Sequence, residues 1–198
     1  MIKAVIFDCF GVLTTEGFDR FRDKYLGDDE PKRQQANKAM DEVNMALIGY
    51  RTFLEILAQL AGLKPAEVEA VLEANQPNEP LLEYIRVKLK PKYKIGMLSN
   101  AGDDWISEIF SPNDIKLFDS IILSFRVGLI KPQPEIYKLT AGELGVETAE
   151  CVFIDDREKY CAGAHDVGMK AILYDDFKQM KSKLEKLLNM AEKKSNLL

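Results

Sequence analysis

Long apolar runs are missing from this chain of 198 residues. No stretch approaches the roughly 20 uninterrupted apolar residues that a membrane helix needs. The first strand-like run, Lys3-Ala4-Val5-Ile6-Phe7, is cut by Asp8 too early for a signal peptide, and no small-residue cleavage site follows. A membrane partner is therefore not expected. Cysteine is scarce. Cys9, Cys151 and Cys161 are odd in number and form no CxxC pair, which argues against a disulfide framework and for reduced thiols in the cytoplasm. Excess positive charge is also missing. The net charge is −5, and binding to nucleic-acid phosphates wants a basic face, so no nucleic-acid partner is expected. There is no internal repeat and no low-complexity segment. What remains is 46% hydrophobic and 30% charged, the composition of a folded chain with one ordinary core and room for a small insert.

Five apolar runs set the plan: Ala4 to Phe7, Ile95 to Leu98, Ser120 to Leu123, Cys151 to Ile154, and Lys170 to Tyr174. Continuous rather than alternating hydrophobicity suits strands buried on both faces, as in a parallel sheet between helices. The later gaps hold helices of crossover length: Pro134 to Leu144, stopped by Gly145, and a short one from Cys161 to Gly168. Phe177, Met180, Leu184, Leu187 and Leu188 make one face of a closing amphipathic helix, whose Glu192-Lys193-Lys194 end reads as solvated. The fold expected is α/β, a doubly wound parallel sheet, which binds ligands beyond the carboxyl ends of its strands.

The interval 15–78 breaks this rhythm and shows no strand pattern. Phe18, Phe21, Tyr25 and Leu26 form one apolar face. Pro31 opens a second helix, to about Ile48. Thr52 to Glu55 reads as a capping box, with Gly62 ending that third helix, and Lys64-Pro65 starts a fourth, through Leu72. The expected division is therefore an α/β core of 1–14 and 79–198 with a small all-helical cap of 15–78, hinged near Thr14-Thr15 and near Asn78 to Pro80. Such a module stands over the end of the first strand.

The carboxyl end of each strand carries polar residues that packing does not require. Asp8 follows the first, Ser99-Asn100 the second, Lys131-Pro132 the third after a short delay, and Asp155-Asp156 the fourth. Singly, each has a plain alternative. Asp8 or the Asp155-Asp156 pair would serve as helix caps, Ser99-Asn100 as turn residues, and Lys131 as a loop lysine. In a parallel sheet these ends share one edge, so the groups can converge.

In this order the segments Phe7-Asp8-Cys9-Phe10-Gly11-Val12-Leu13, Met97-Leu98-Ser99-Asn100-Ala101, Gly128 to Tyr137 around Lys131-Pro132, and Phe153-Ile154-Asp155-Asp156-Arg157 resemble the haloacid dehalogenase-like (HAD) hydrolase superfamily. The resemblance spans essentially the whole chain, since the helical insert sits where that family's first type of cap sits. It implies a Rossmann-like core and, for the site, Asp8 as the nucleophile that takes a phosphoryl group. Lys131 would pair with Asp8 and the transferring oxygens. The Ser99 hydroxyl and the Asn100 backbone N–H would hold further oxygens. Mg²⁺ would be held by Asp8, the Phe10 carbonyl and the Asp155-Asp156 pair, Asp156 first. The implied partner is a small phosphorylated metabolite.

One departure matters. Phosphatases of this family carry a second aspartate two residues after the nucleophile, which protonates the leaving alkoxide and then activates water. Here that position is Phe10, and a positioned acid or base is worth about 10²–10⁴ in rate. Three readings stay open: a Mg²⁺-dependent phosphatase with weakened acid–base catalysis, a non-catalytic relative that binds a phosphorylated ligand or a protein, and a 2-haloacid dehalogenase, whose halide leaves without a proton. The lone His165 falls in a late helix and is a poor substitute. Cys9 is expected to pack rather than react. Residues Glu16 to Arg22 are expected nearest the cleft; Phe18 either reaches it or packs in the cap core, Arg20 either reaches it or faces solvent, and Trp105 either lines it or packs the following helix.

Overall fold

A computed structural model describes residues 1–195, and side chains through residue 189. The strands are β1 (Ala4–Phe7), β2 (Lys94–Ser99), β3 (Ser120–Leu123), β4 (Cys151–Asp155) and β5 (Lys170–Leu173). They form one sheet in the order β3-β2-β1-β4-β5, with every pair parallel. Helices α1 (Gly17–Tyr25), α2 (Glu30–Asn44), α3 (Tyr50–Ala61) and α4 (Pro65–Glu73) follow β1. Next come α5 (Glu79–Tyr84), continued by a π-helical turn over Ile85–Leu89, and the one-turn helices α6 (Ile106–Ile109), α7 (Pro112–Ile115) and α8 (Ser124–Val127) around β3. Helices α9 (Pro134–Glu143), α10 (Glu158–Asp166) and α11 (Phe177–Ser195) complete the chain. The expected Glu192-Lys193-Lys194 surface lies outside the described side chains. Among the described residues no helix is long and apolar enough to cross a membrane.

Alternation along each strand sends side chains to two cores. Val5, Phe7, Met97 and Ile154 meet Leu81 of α5, Ile85 of the π turn, and Met180 and Leu184 of α11. Ala4, Ile6, Leu98 and Phe153 meet Ile136 and Tyr137 of α9 and Ala164 of α10. Burial on both faces explains the continuous apolar runs, and the strands match them to within one residue.

Helices α1 to α4 share a third core built on Phe18, Phe21, Ala39, Phe53, Leu57 and Val68. Two expectations fail here. The second helix ends at Asn44, not Ile48, because Ala46 turns the backbone to φ 55° and the Asn44 carbonyl is held by the Ser124 hydroxyl at 2.6 Å. Thr52 caps nothing. The third helix starts three residues earlier at Tyr50, with Gly49 rather than Thr52 as an extended N-cap, and Glu55 accepts from Arg51 Nε at 3.2 Å instead of reaching back. The Gly62 stop is as expected, in the left-handed region at φ 68°. The one-turn helices α6 to α8 carry too few apolar positions to show a period in the sequence; α5 with its π turn, Glu79–Leu89, is a further helix that the sequence pattern does not suggest.

The two chain crossings between the insert and the sheet are tied to each other. Thr14 bridges Pro77, Thr15 N–H donates to the Gln76 carbonyl at 3.1 Å, and Asn78 N–H donates to the Leu13 carbonyl at 2.8 Å. Asn78 also donates through Nδ2 to the Val12 carbonyl and to the Tyr174 hydroxyl, each at 2.9 Å, and caps α5 by accepting from Leu81 N–H. The N78A variant loses the cap and leaves the Val12 carbonyl unpaired, so it is expected to lose about 1–3 kcal/mol of stability. Urea unfolding at pH 7 measures it; a change under about 0.3 kcal/mol would show that the crossing does not depend on this side chain.

Candidate active site

Register brings the polar strand ends together. Phe7 lies level with Met97 on one side and Ile154 on the other, so Asp8 emerges beside Asp155, and Asp8 N–H donates to the Ile154 carbonyl at 2.8 Å. Lys131 comes in from the far end of the β3–α9 connection. Its Nζ stands 2.7 Å from Asp8 Oδ1 and 2.7 Å from Asp155 Oδ2, and the residue is 1% exposed. The ammonium also lies 4.8 Å from the Tyr160 ring centroid. Burial alone would discharge the lysine, but Asp155 and Asp8 outweigh it and hold the ammonium protonated well above its ordinary range.

Asn100 secures the lysine from behind. Its Oδ1 accepts from Lys131 N–H at 2.8 Å, and its Nδ2 donates to the Lys131 carbonyl at 3.2 Å and the Tyr160 hydroxyl at 3.3 Å. This clamp was not read from the sequence, which had assigned only the Asn100 backbone. Ser99 ends β2, fully buried, with an unpaired Oγ.

Asp8, Asp155 and Asp156 each place a carboxylate oxygen within 4.8 Å of the others. Asp155 is already engaged, by Lys131 at Oδ2 and by Arg157 N–H at Oδ1, 2.8 Å away. Asp156 is not; its buried Oδ1 has no partner. Gly11 makes the close approach to Asp156 possible. It sits at φ +87°, and a Cβ there would stand 2.5 Å from Asp156 Oδ2. Burial, then Asp155, push the Asp8 carboxyl well above its ordinary range against the pull of Lys131. Asp156 is raised by the same two causes. Three carboxylates around one ammonium leave an excess of negative charge with an orphaned oxygen, and an oxygen-only donor set of this kind fits a hard divalent cation.

A cavity of about 440 Å³ opens above this cluster, walled on the far side by the helical insert. Phe10 lines it and packs edge-on against Trp105, with ring centroids 4.5 Å apart, so Trp105 both lines the cavity and packs. Glu16 lines it, and Phe18 both lines it and packs in the insert core; Arg20 takes the solvent alternative, turning to the Ala74 carbonyl and Asn75, and Arg22 takes the cavity side. Arg157 reaches across to the insert, with Nη2 3.5 Å from Asp19 and 3.6 Å from Glu16. Arg157 closes the Phe153 to Arg157 motif, but residue type alone gives it no role there. His165 is exposed in the last turn of α10 and absent from the cavity lining. Cys9 is buried in the core; burial and Asp8 push its thiol up, away from the reactive thiolate.

Residues 2–168 match the family model of the haloacid dehalogenase-like hydrolases. The chain belongs to that family. Among HAD-like relatives, it is 41% identical over 202 residues to Phosphatase MT3486 of Mycobacterium tuberculosis, covering 88% of each chain. It is 43% identical over 70 residues to bifunctional epoxide hydrolase 2 of Sus scrofa, but this match spans 35% of the chain and only 13% of the pig protein. In fold it resembles a HAD family enzyme of Bacteroides thetaiotaomicron, in a crystal structure with magnesium and inorganic phosphate, at a TM-score of 0.71 and 24% identity over 91% of this chain and 99% of that one.

Lys131→Met would leave Asp8 and Asp155 buried without their cation, a change expected to cost about 3–5 kcal/mol near neutral pH. The sign with pH follows from the carboxyls. The folded pKa of Asp8 lies above its unfolded value, and losing the lysine raises it further. Its contribution is therefore favourable at low pH and is lost as pH climbs through the folded pKa. The K131M deficit should be smaller at pH 5 than at pH 7.5 by denaturant unfolding; an equal deficit at both would mean the carboxylates do not carry the cost.

Proposed function

We propose that this HAD-like hydrolase is a Mg²⁺-dependent phosphatase that passes a phosphoryl group through Asp8, with a small phosphorylated metabolite as substrate. The observation that carries the reading is the Asp8–Lys131–Asp155 cluster, with the unsatisfied Asp156 beside it and with Asp8 and Lys131 lining the cavity. One Asp8 oxygen is fixed by Lys131, and Cys9 N–H donates to that same Oδ1 at 2.7 Å. The other is left to attack phosphorus in line. Asp8, Asp156 and the Phe10 carbonyl would hold the ion, with Asp155 shared between the ion and Lys131. When bound, the ion neutralises the excess carboxylate charge and that of the phosphoryl oxygens. Lys131 supplies a cation that is always charged and cannot swing away. The unpaired Ser99 hydroxyl and the Asn100 backbone N–H would donate to the phosphoryl oxygens. The helical insert serves as a cap that excludes water from the reacting centre.

Phe10 itself supplies no proton, so aryl and acyl phosphates, whose leaving groups depart without one, depend least on an acid from elsewhere in the cavity. The same residue supports a second reading, attack of Asp8 on a halogen-bearing carbon, which needs neither Asp156 nor an ion. Two measurements test the assignment. Phosphate release from p-nitrophenyl or acetyl phosphate should require Mg²⁺, disappear with a chelator, and fall at least about 10³-fold in D8N. Calorimetry should show Mg²⁺ binding in the wild type, weakened at least tenfold in D156N. Chloride release from a 2-chloroacid without metal, or full activity of D8N, would overturn the reading.

A further inference from the structure

On the reading that Asp8 receives the phosphoryl group, we infer that Glu16 is the general acid and base of this enzyme, supplied by the helical insert in place of the carboxylate missing at position 10.

The chain doubles back beside Phe10 before the insert begins. After Gly11 the backbone turns back and Thr14 bridges Phe10, with Gly11 N–H donating to the Thr14 carbonyl at 2.9 Å. Glu16 follows two residues on, in extended backbone, and lines the same cavity as Asp8 and Phe10. Its carboxylate is held from two sides. Oε1 accepts from Phe18 N–H at 2.9 Å, which makes Glu16 the cap of α1, and Oε2 lies 3.6 Å from Arg157 Nη2. Oε2 is ion-paired to Arg157 without a hydrogen bond, and it is the oxygen we assign to proton exchange. Gly17, the next residue, packs so close to the Leu72 backbone that a Cβ would clash with its carbonyl, which fixes where the helix, and so Glu16, begins.

The charged groups facing Glu16 set its titration. Burial comes first and Asp19 on its own helix second, both raising the pKa; Arg157 from the β4–α10 turn and the Phe18 hydrogen bond pull it back, and Asp156 contributes least. The balance stands at about 7, where an acid–base group works both ways at neutral pH. Because Asp156 is the smallest contributor, the shift does not stand on the metal-binding carboxylates.

The proton balance closes over two steps. Asp8 forms a bond to phosphorus, the bond from phosphorus to the alkoxide oxygen breaks, and the departing oxygen takes the proton from the Glu16 carboxyl. Glu16, now a carboxylate, takes a proton from a water whose oxygen attacks phosphorus. The bond to Asp8 breaks, phosphate leaves, and Glu16 is protonated again.

Glu16→Gln keeps an oxygen to cap α1 and removes the proton. With glycerol 3-phosphate, kcat/KM of the wild type should fall as pH rises past about 7, because the first step needs the protonated acid. In E16Q that limb should vanish and turnover drop about 10²-fold or more. With p-nitrophenyl phosphate, E16Q should still give a stoichiometric burst of nitrophenolate followed by slow steady-state release, which shows a folded enzyme with an intact nucleophile. Adding F10D to E16Q should restore turnover. If E16Q keeps wild-type turnover and pH profile while D8N is inactive, Glu16 is not the proton carrier and the Asp8 reading stands. If E16Q loses its burst together with steady-state turnover, its role is structural and the inference fails. If D8N remains active, both fail.

Discussion

A single buried ammonium organises this molecule's functional end. Lys131 is held between Asp8 and Asp155 at 2.7 Å on each side, in surroundings that would discharge an isolated lysine. The pair of carboxylates keeps it charged, and the lysine in turn keeps at least one carboxylate tolerable in the interior. Each partner arrives from a different crossover: Asp8 from β1, Asp155 from β4, Lys131 from the connection after β3. The cluster exists only when the parallel order β3-β2-β1-β4-β5 is formed, so the chemistry reports directly on the fold. Asn100 completes the arrangement by gripping both backbone groups of Lys131.

The site is deliberately unbalanced. Asp155 has both oxygens engaged, while Asp156 leaves a buried oxygen with no donor. An unsatisfied buried carboxylate oxygen is costly in a finished core, and close to the Asp8 and Asp155 carboxylates it marks a place for a positive ligand. Gly11 belongs to the same device, since any side chain there would collide with Asp156. The helical insert walls one side of the cavity and brings its own charges, Glu16 and Asp19, against Arg157 of the sheet side. Core and insert are thus coupled electrostatically where they meet, and mechanically by the paired crossings at Thr14 and Pro77.

Much of this was legible beforehand, for physical reasons that can be named. Strands buried on both faces leave continuous apolar runs, and all five were found at nearly the right ends. Polar residues stranded at the carboxyl ends of such runs have no packing excuse, which is why Asp8, Ser99, Asn100, Lys131, Asp155 and Asp156 stood out. Less was legible in the insert. Thr52 matched a capping pattern, yet the helix began at Tyr50 because Gly49 could supply the extended backbone without any side-chain cap. The second helix stopped early because Asn44 docks on Ser124, a contact 80 residues away in the chain. Arg20 and Arg22 are equally plausible from the sequence; only helix phase sends Arg22 to the cavity and Arg20 to the surface.

What the sequence determined alone is the class of fold, the order of the strands' polar ends, and the phenylalanine at position 10. Those are local matters, written in hydrophobic period and residue type. The tertiary structure alone decided which oxygen of each carboxylate is already taken, that Asn100 works through its side chain, and that Glu16 stands in the cavity that Phe10 lines. Burial, register and the field of distant charges act across space, and no single stretch of chain carries them.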